Sequence, residues 1–440
     1  MPSATIVWLR NDLRLADNPA LHQAAADGAV VPVFVWAPEE EGDWPPGAAS
    51  RWWLHRSLHA LDARLRERGS RLIVRLGASL PELRRLIDET GAGAVVWNRR
   101  YEPAAIERDR LVKAGLAGAG SHCGSLLHEP WTIRTAAGGP FQVFTPFRNA
   151  VARLGEPGSS LPEPPHLSPP ASWPESIPIE RLGLAPEQPW HSGLAEQWTP
   201  GETAAHQGLQ EFLGRLSGYQ HDRDHPARET SQLSAHLHFG ELSPRQVWHA
   251  VRQAGGAAAE PYLRQLIWRE FAHHLLYHFP HTPAAPLRAA YDRMPWREDD
   301  TALAAWRRGE TGYPLVDAGM QQLWHSGWMH NRARMVTASF LTKHLLIDWR
   351  QGAAWFWDTL VDADLANNTL GWQWVAGSGA DAAPYHRIFN PALQADRYDH
   401  DGGYQARWLG GRPRPRPIVE HAEGRARALA AYATVRSGDE

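Results

Sequence analysis

Short apolar runs alternate with longer amphipathic stretches over the first part of the chain. The apolar runs predict buried strands at 5–9, 30–36, 71–76, 94–97 and 125–128. The stretches between them predict helices at 50–68, 80–90 and 104–114. This alternation indicates a five-stranded parallel sheet in a Rossmann-like α/β domain. No G-x-G-x-x-G sequence follows the first strand, so we do not expect an NAD-type dinucleotide site there.

A different pattern begins beyond residue 201, where apolar residues recur at spacings of three and four. This periodicity predicts helices over 204–216, 243–254, 261–279, 319–346 and 352–368. The segment from about 155 to 200 is rich in proline and serine and lacks an apolar period, which is typical of an interdomain connection. We therefore predict an α/β domain over 1–130, a linker over 131–200 and an all-helical domain over 201–435.

Composition narrows the class of protein. At 440 residues, with 43% hydrophobic and 21% charged residues, the chain should form two or more globular domains. We expect no membrane span, because no run of about 18 uncharged apolar residues occurs. The N-terminus does not resemble a signal peptide, and the single cysteine, Cys123, excludes an internal disulfide; we expect a cytoplasmic protein. With a net charge of −3, any contact with nucleic acid must use a local patch. We predict no metal site.

Clustered polar residues open the helical domain. Thr230, Ser231 and Ser234 place hydroxyls at an expected helix start, where backbone N–H groups can bind phosphate. An ordinary helix cap is the alternative interpretation. Gln265 lies on the same helical face as Trp268 and Arg269, three and four residues further on. An amide, a flat ring and a cation side by side are unfavourable in a hydrophobic core, but they suit a pocket for a flat, anionic ligand.

A second set of functional side chains follows further along the chain. Trp328, Asn331, Arg332 and Met335 share one helical face. Asp362 and Asp364 lie in an apolar stretch, where an unpaired carboxylate would be costly, so one of them should pair with Arg334. The last set is Asn368 and Trp372, four residues apart and able to face one ligand, with Trp374 pointing elsewhere.

These segments resemble the signature sequences of the photolyase/cryptochrome family. The matching stretches are WLRNDLRLADNPAL, ETSQLSAHLHFGELSPRQ, LIWREF, TGYPLVDAGMQQLW, GWMHNRARM, DADLANNTLGWQWVAGSGADAAPY and RIFNP. They cover nearly the whole chain in the family's order, and the chain is most similar to the class I and class III photolyases that act on cyclobutane pyrimidine dimers. The resemblance implies a flavoprotein that uses blue light to drive electron transfer.

The resemblance implies that FAD binds in the helical domain. Arg334 and Asp362 should form an ion pair beside the isoalloxazine with Asp364 close by, and Asn368 should face flavin N5. Arg269 and Asn331 should approach the flavin. The residues expected on the phosphate and ribose side are Tyr219, Thr230, Ser231, Gln232, Leu233 and Ser234.

The resemblance also assigns an electron path and a substrate. Trp372, Trp349 and Trp296 match the family's electron-transfer chain from flavin to surface; three core tryptophans are the alternative interpretation. The substrate would be UV-damaged DNA, with the pyrimidine dimer flipped into a cavity above the flavin. The residues implied on the DNA and lesion side are Arg223, Gln265, Trp268, Asn331, Arg332, Met335, Trp374 and Arg387, with Gln265, Trp268, Asn331 and Met335 closest to the reaction.

Two positions depart from the family pattern. Photolyases that act on cyclobutane dimers usually have glutamate at position 265, and glutamine cannot transfer a proton, so we expect slower repair. His386 stands where the family usually has phenylalanine. A cryptochrome-like light receptor without efficient repair is therefore the alternative, although we expect no long C-terminal extension of the kind a receptor would use. The antenna could be a methenyltetrahydrofolate, an 8-hydroxy-deazaflavin or absent, and we expect a monomer.

Overall fold

The N-terminal part is a parallel sheet flanked by helices. The computed structural model describes residues 4–186, 189–382, 384–385, 387–411 and 415–436. The strands are β1 (Thr5–Leu9), β2 (Val30–Trp36), β3 (Ile73–Leu76), β4 (Ala94–Asn98) and β5 (Ala119–His122). The first helices are α1 (Pro19–Asp27), α2 (Ala48–Glu67), α3 (Ser79–Thr90) and α4 (Pro103–Gly115). The strand order is β3-β2-β1-β4-β5, and every pairing is parallel. The predicted fold class is confirmed.

The fifth strand differs from its prediction. The predictions for β1 and β2 are confirmed to the residue, whereas 125–128 lies outside the sheet and β5 precedes it. The backbone N–H groups of Leu127 and His128 donate to Glu270 Oε2 in the helical domain, at 3.0 and 3.1 Å. This apolar run was wrongly assigned to the sheet because its hydrogen-bond partner is a distant side chain, which local periodicity cannot reveal.

Residues 131–200 connect the two parts and pack against both. They contain α5 (Phe144–Arg153), whose phenylalanines join the core of the helical domain, and α6 (Ser192–Gln197). Elsewhere the segment is mostly irregular and follows the sheet domain. Val30 N donates to Ser168 O at 2.8 Å, and Ile177 N donates to Val74 O at 3.1 Å. The proline-rich connection is therefore held along the domain surface.

The remaining chain is helical. Its first helices are α7 (Glu202–Arg215), α8 (Tyr219–Asp222), α9 (Ser234–His238), α10 (Pro244–Gly255) and α11 (Glu260–His278). The central helices are α12 (Asp300–Arg308), α13 (Pro314–Ser326), α14 (Asn331–Ser339), a π-helical turn (Phe340–His344), α15 (Trp349–Thr359) and α16 (Leu365–Ala376). The last helices are α17 (Pro391–Tyr398), α18 (Gly403–Leu409) and α19 (His421–Arg436). No helix in these ranges combines the length and hydropathy needed to span a bilayer.

Two long predicted helices are broken in the structure. The 319–346 prediction is interrupted after α13 by Gly327, whose φ of +65° ends the helix. His330 then caps α14 by accepting the Arg332 N–H. The 352–368 prediction is interrupted between α15 and α16, and Asp364 caps the second helix. Apolar periodicity continues through both breaks because the loops are as buried as the helices. The only sequence signals of the two breaks were therefore the residues that cap the helices.

Buried polar contacts lock the two domains together. Glu241, between α9 and α10, accepts from Trp53 Nε1 of α2 at 3.0 Å, and within its own domain it accepts from Gly201 N at 2.7 Å. Asp17 of the sheet domain forms an ion pair with Arg245 at 2.8 Å. Breaking either of the contacts between the domains would leave a buried polar group unpaired, so both contacts favour this placement of the two domains.

Candidate functional site

Contacts between α9, α14 and the loop before α16 bring several predicted site residues together. Trp328 Nε1 donates to Ser234 Oγ at 3.3 Å. The Arg334 guanidinium lies 5.8 Å from the centroid of the Trp328 ring and pairs with Asp362. Residues separated by more than a hundred positions in the sequence therefore form one site.

The predicted ion pair between Arg334 and Asp362 is present. Arg334 Nη2 lies 2.9 and 3.1 Å from the two carboxylate oxygens, and Nε donates to Met329 O at 2.7 Å. The Asp362 side chain is only 4% exposed. A carboxylate this buried needs its cation, since removing the partner would leave an uncompensated charge.

Asp364 occupies a separate polar cluster, which sequence reasoning missed. It accepts the Asn367 N–H at 2.8 Å, and its Oδ2 lies 3.4 Å from His273 Nε2 and 3.8 Å from His238 Nδ1. Burial alone would raise the pKa of Asp364, but the charge of His273 and the hydrogen bonds from both histidines hold it well below its ordinary value. Asp364 is therefore a fixed negative charge at the start of α16.

The geometry of His273 indicates that its ring carries two protons. Its Nδ1 lies 3.0 Å from Arg269 O, and its Nε2 faces the Asp364 carboxylate. Both nitrogens face acceptors, and accordingly Asp364 raises the pKa of His273 although burial opposes the charge. The spacing of four between Arg269 and His273 on one helical face was the sequence signal that could have identified this group.

Arg269 links the site to the end of the sheet domain. Its Nη1 donates to Ser125 O at 2.8 Å. The neighbouring Glu270 is buried, and burial raises its pKa while its bonds to Leu127 N and His128 N partly oppose the rise. These contacts hold segment 125–128 against α11, so Arg269 is oriented by the protein before any ligand arrives.

The residues predicted for phosphate and ribose lie around the start of α9. The residue capping α9 is Leu233, which makes no side-chain cap bond, although Ser231 Oγ accepts the Leu233 N–H at 3.5 Å. Ser231 Oγ accepts from Tyr262 OH at 3.1 Å, and Gln232 has a φ of +52°. Thr230 is half-buried and Ser234 exposed.

Tyr219, on α8, is the remaining residue predicted on the phosphate and ribose side. It packs edge-on against Phe212 and Tyr262, with ring centroids 5.7 and 5.2 Å apart, and burial raises its pKa to about 12. The hydroxyl is therefore protonated at neutral pH and can act as a hydrogen-bond donor. Binding of phosphate or ribose by this group remains a prediction.

Asn368 and Trp372 lie one turn apart on α16. Asn368 is half-buried, and its Nδ2 donates to Ala353 O of α15 at 3.1 Å. Trp372 packs against Phe356 and Trp306, with centroids 5.0 and 6.2 Å apart. Its ring also lies directly against Gly352, where a Cβ atom would collide with it. Packing against these three residues therefore fixes the position of the Trp372 indole.

The three tryptophans predicted for electron transfer pack within one apolar cluster. Trp372 and Trp349 are each 2% exposed, whereas Trp296 is half-buried. Two of them are therefore in the interior and one reaches the surface, and their role in electron transfer stays a prediction. Trp374 is half-buried and belongs to the same cluster, whereas Trp268 packs with a different one.

The predicted lesion-side residues are more exposed. Gln265 is half-buried, and its Nε2 donates to Pro261 O of its own helix at 3.2 Å. Asn331 is exposed, with Nδ2 3.8 Å from Met335 Sδ. Trp268 stacks on Phe144, with centroids 3.6 Å apart and an interplanar angle of 4°. Sequence reasoning missed Phe144, because it lies in the segment predicted to be a linker.

The predicted DNA-binding arginines differ in how far their side chains are free to contact DNA. Arg332 pairs with Asp224 at 2.7 Å and lies 4.1 Å from the Tyr398 ring centroid, so it is already engaged within the protein. Arg223 is half-buried beside Tyr219, and Arg387 is exposed. His386 lies outside the described residues.

A separate cavity lies between the two domains, with a volume of about 260 Å³. From the sheet domain it is lined by Asn11 after β1, Trp36 at the end of β2 and Arg100 after β4. Its opposite wall includes His238 and Leu365 of the helical domain. The cavity lies at the carboxyl ends of the strands, where the strand order reverses, which is the preferred position for ligands in α/β folds.

Comparison with known proteins gives consistent matches over both domains. The family profile "DNA photolyase" matches residues 5–167, and "FAD binding domain of DNA photolyase" matches residues 262–414. The deoxyribodipyrimidine photo-lyase of Agrobacterium fabrum is 45% identical, covering 98% of each chain. Cryptochrome-2 of Arabidopsis thaliana is 41% identical over 93% of this chain and 71% of its own. A crystal structure of a bacterial class III photolyase from Agrobacterium tumefaciens superposes with a TM-score of 0.95 at 44% identity, covering 99% of this chain and 98% of that one.

Proposed function

The chain belongs to the photolyase/cryptochrome family, and we propose that it is a deoxyribodipyrimidine photo-lyase, which repairs cyclobutane pyrimidine dimers in DNA with light. The observation that carries this proposal is the full-length similarity to a photo-lyase, at 45% identity over 98% of both chains. The similarity includes the helical domain and the segments that hold the residues described above.

The donor set of the helical site fits FAD. Half-buried hydroxyls around Ser231 suit phosphate and ribose oxygens, and the buried charges of Arg334, Asp362 and Asp364 suit the polar edge of a flat ring system. Held by these residues, reduced FAD would supply the electron-transfer chemistry that opens the cyclobutane ring, with no net redox change. The protein residues bind and orient both partners of this exchange.

Each group of residues then has a distinct task. The amide of Asn368 is held by Ala353 O and is available at the predicted N5 side, where it can donate a hydrogen bond or accept one. Trp372, Trp349 and Trp296 would carry an electron inward to regenerate the reduced cofactor. Trp268 and Trp374 would stack on the flipped bases, which favours the extruded conformation.

Gln265 would contact the edge of the flipped pyrimidine. Its amide can donate and accept hydrogen bonds but cannot supply a proton, so the stabilisation of charge on the dimer should be weaker than with a carboxylic acid. In the structure its Nε2 is bonded to Pro261 O, leaving rotation of the side chain as the route to the substrate. Repair with a reduced yield is the expected consequence.

A light receptor is the second candidate function. The 41% identity to cryptochrome-2 and the presence of Gln265 both favour it. The photo-lyase relative covers more of both chains and is more similar, and the residues of the lesion side, Asn331 and Met335, are retained. We therefore place repair first.

One assay separates the two functions. Reduced protein is illuminated with blue light in the presence of oligothymidine that contains dimers, and recovery of thymine absorbance is followed. A photo-lyase restores the absorbance in the light and not in the dark. Binding of the damaged oligonucleotide without recovery would contradict repair and favour the receptor. Protein that retains no flavin after reconstitution would contradict both.

We also propose that the interdomain cavity binds the antenna, a folate or a deazaflavin. Its place at the carboxyl ends of the strands supports this assignment. Reconstitution with methenyltetrahydrofolate or with 8-hydroxy-deazaflavin should add an absorption band and transfer excitation to the flavin. Binding that persists unchanged in an Ala363→Trp variant would contradict the assignment, since Ala363 lines the cavity. A monomer in the cytoplasm remains our expectation for the assembly and location of the protein.

A further inference from the structure

One face of Trp268 is permanently covered by a second aromatic ring. Phe144 is the first residue of α5, and its ring is parallel to the indole at a centroid distance of 3.6 Å. Phe144 is 5% exposed, whereas Trp268 is half-buried. The indole therefore has one face fixed on the protein and a remaining exposed part available to a ligand.

Phe144 is itself held from two directions. Its ring packs against Phe271 at 5.9 Å, and Phe271 is fully buried and also contacts Trp268 at 5.8 Å. The rings of Phe144, Trp268 and Phe271 each contact the other two, so none of them can rotate without displacing another. Packing of this kind fixes the plane of a half-exposed indole more firmly than a single contact would.

The backbone of Phe144 is held by a third segment. Val143 precedes α5 and provides no side-chain cap, while the Asp381 carboxylate faces the backbone N–H of Phe144. Burial raises the pKa of Asp381, and the N–H of Phe144 opposes part of that rise. Asp381 has a φ of +46°, a left-handed conformation that aspartate tolerates better than most residues. The segment after α16 thus anchors the start of α5.

We infer that Phe144 is a positioning residue for substrate recognition, which fixes the plane of Trp268 so that its free face can stack on the flipped dimer. This inference rests on the proposed repair function, because it takes Trp268 as a wall of the lesion cavity. It adds to the site a helix from the segment between the two domains. Selectivity for damaged over intact DNA would then depend partly on a side chain that the DNA does not contact.

The test is a Phe144→Leu variant, which keeps an apolar side chain and removes the stacked ring. In the dark, affinity is measured for oligothymidine with and without one dimer, and single-turnover repair is measured with reduced protein. We expect dimer affinity to fall about two- to tenfold, the range that one aromatic pair contributes. Affinity for the intact oligonucleotide should not change, and the protein concentration that gives half-maximal single-turnover repair should rise more than the limiting repair rate falls. Phe144→Tyr should restore the preference.

Phe147→Leu is the matched control. Phe147 lies on the same helix, is fully buried, and packs against Phe271 and His274. It should lose a similar amount of stability without losing preference for the dimer. Equal loss of preference in both leucine variants, or none in either, would overturn the inference.

Two further measurements distinguish a failure of the Phe144 inference from a failure of the proposed repair function. If Phe144→Leu does not fold, Asp381→Ala removes the acceptor of the Phe144 N–H, and it should lower the preference in the same direction by a smaller factor. Unchanged preference in a folded Asp381→Ala protein would then overturn the inference. Wild-type protein that shows no preference for the dimer would instead overturn the proposed function, and the role of Phe144 in recognition with it.

Discussion

The two sides of the proposed flavin site are built differently. The indole side, defined by Trp296, Trp349 and Trp372, is largely buried in one apolar cluster. The lesion side, defined by Gln265, Trp268, Asn331 and Met335, is half-buried or exposed. An electron path must keep fixed distances between rings, whereas a cavity for a flipped base must remain open to solvent until DNA arrives.

The difference determines what a mutation does. On the indole side Trp372 is packed against Gly352, Phe356 and Trp306, so a change in shape costs stability as well as function. On the lesion side Gln265 and Asn331 are held more lightly, by contacts with Pro261 O and Met335 Sδ of their own helices. Substitutions there should alter recognition or yield with little change in the free energy of unfolding.

Removing Arg334 should have the largest effect on stability. Its pair with Asp362 lies in neither the indole side nor the lesion side, and it supports both. Arg334→Ala leaves a buried carboxylate without its cation and should lower the free energy of unfolding by about 3 kcal/mol. Retention of FAD should fall as well. Chemical denaturation of the flavin-free protein and the flavin-to-protein absorbance ratio measure the two effects.

Arg332→Ala provides the control for that experiment. Arg332 is two residues away, and its partner Asp224 has a side chain that is 42% exposed, so the pair should contribute less than about 1 kcal/mol. Equal destabilisation by both variants would show that the burial of Asp362 does not set the stability of the site.

Acid should weaken the indole side through His344. This residue lies in the π-helical turn, stacks on Phe340 at 4.9 Å and contacts His421 of α19, with 2.8 Å between ring nitrogens. Burial, followed by the charges of His421 and Arg427, lowers the pKa of His344 from 6.5 to about 4. A lowered histidine pKa means that the folded state disfavours the proton. Stability is therefore complete above pH 6.5 and is lost as the pH falls toward 4.

The loss from His344 should approach about 3 kcal/mol, because a tenfold change in proton affinity corresponds to about 1.4 kcal/mol. Urea denaturation at several pH values gives the slope. His344→Gln should be less stable at neutral pH but show a flatter decline between pH 6.5 and 4. The exposed His325→Gln variant should keep the wild-type slope. A wild-type slope in His344→Gln would assign the acid sensitivity to other histidines.

Sequence reasoning reached the fold, and it reached a pairing of Arg334 with Asp362 or Asp364, because both follow local rules; the choice of Asp362 came from the family resemblance. Strand–helix alternation specifies the sheet, and a buried aspartate in an apolar run requires a nearby cation. It missed His238 and His273 around Asp364, and Phe144 behind Trp268, because these contacts join segments far apart in the chain. The misplaced fifth strand has the same cause, since its hydrogen bonds go to Glu270. What could not be predicted is pairing between segments far apart in the chain.

Replacing Trp372 tests whether burial on the indole side serves electron transfer. Trp372→Phe should slow photoreduction of oxidised FAD by about two orders of magnitude, equivalent to about 2.7 kcal/mol in the barrier. Repair by protein reduced beforehand should persist, because the lesion side is untouched. Transient absorption and the single-turnover repair assay measure these rates.

Trp306→Phe is the matched control for that replacement. Trp306 is fully buried in the same cluster and contacts Trp372, yet it is outside the predicted path. It should leave photoreduction near the wild-type rate. Equal slowing of photoreduction in the two variants would show a different path, and equal loss of repair would place Trp372 on the lesion side.

Gln265→Glu should have the smallest effect and acts on the lesion side alone. A carboxyl group at this half-buried position can share or supply a proton as charge develops on the dimer, which an amide cannot do. The repair yield per absorbed photon should rise about twofold, equivalent to about 0.4 kcal/mol, while the free energy of unfolding changes by less than about 0.5 kcal/mol. Comparing the yield at fixed light dose with the yield of Gln265→Ala separates proton supply from hydrogen bonding. Because Gln265 is half-buried and bonded only lightly, to Pro261 O of its own helix, a gain in yield without a change in stability is expected. A lower yield in Gln265→Glu would mean that Gln265 already makes the better contact with this protein's substrate.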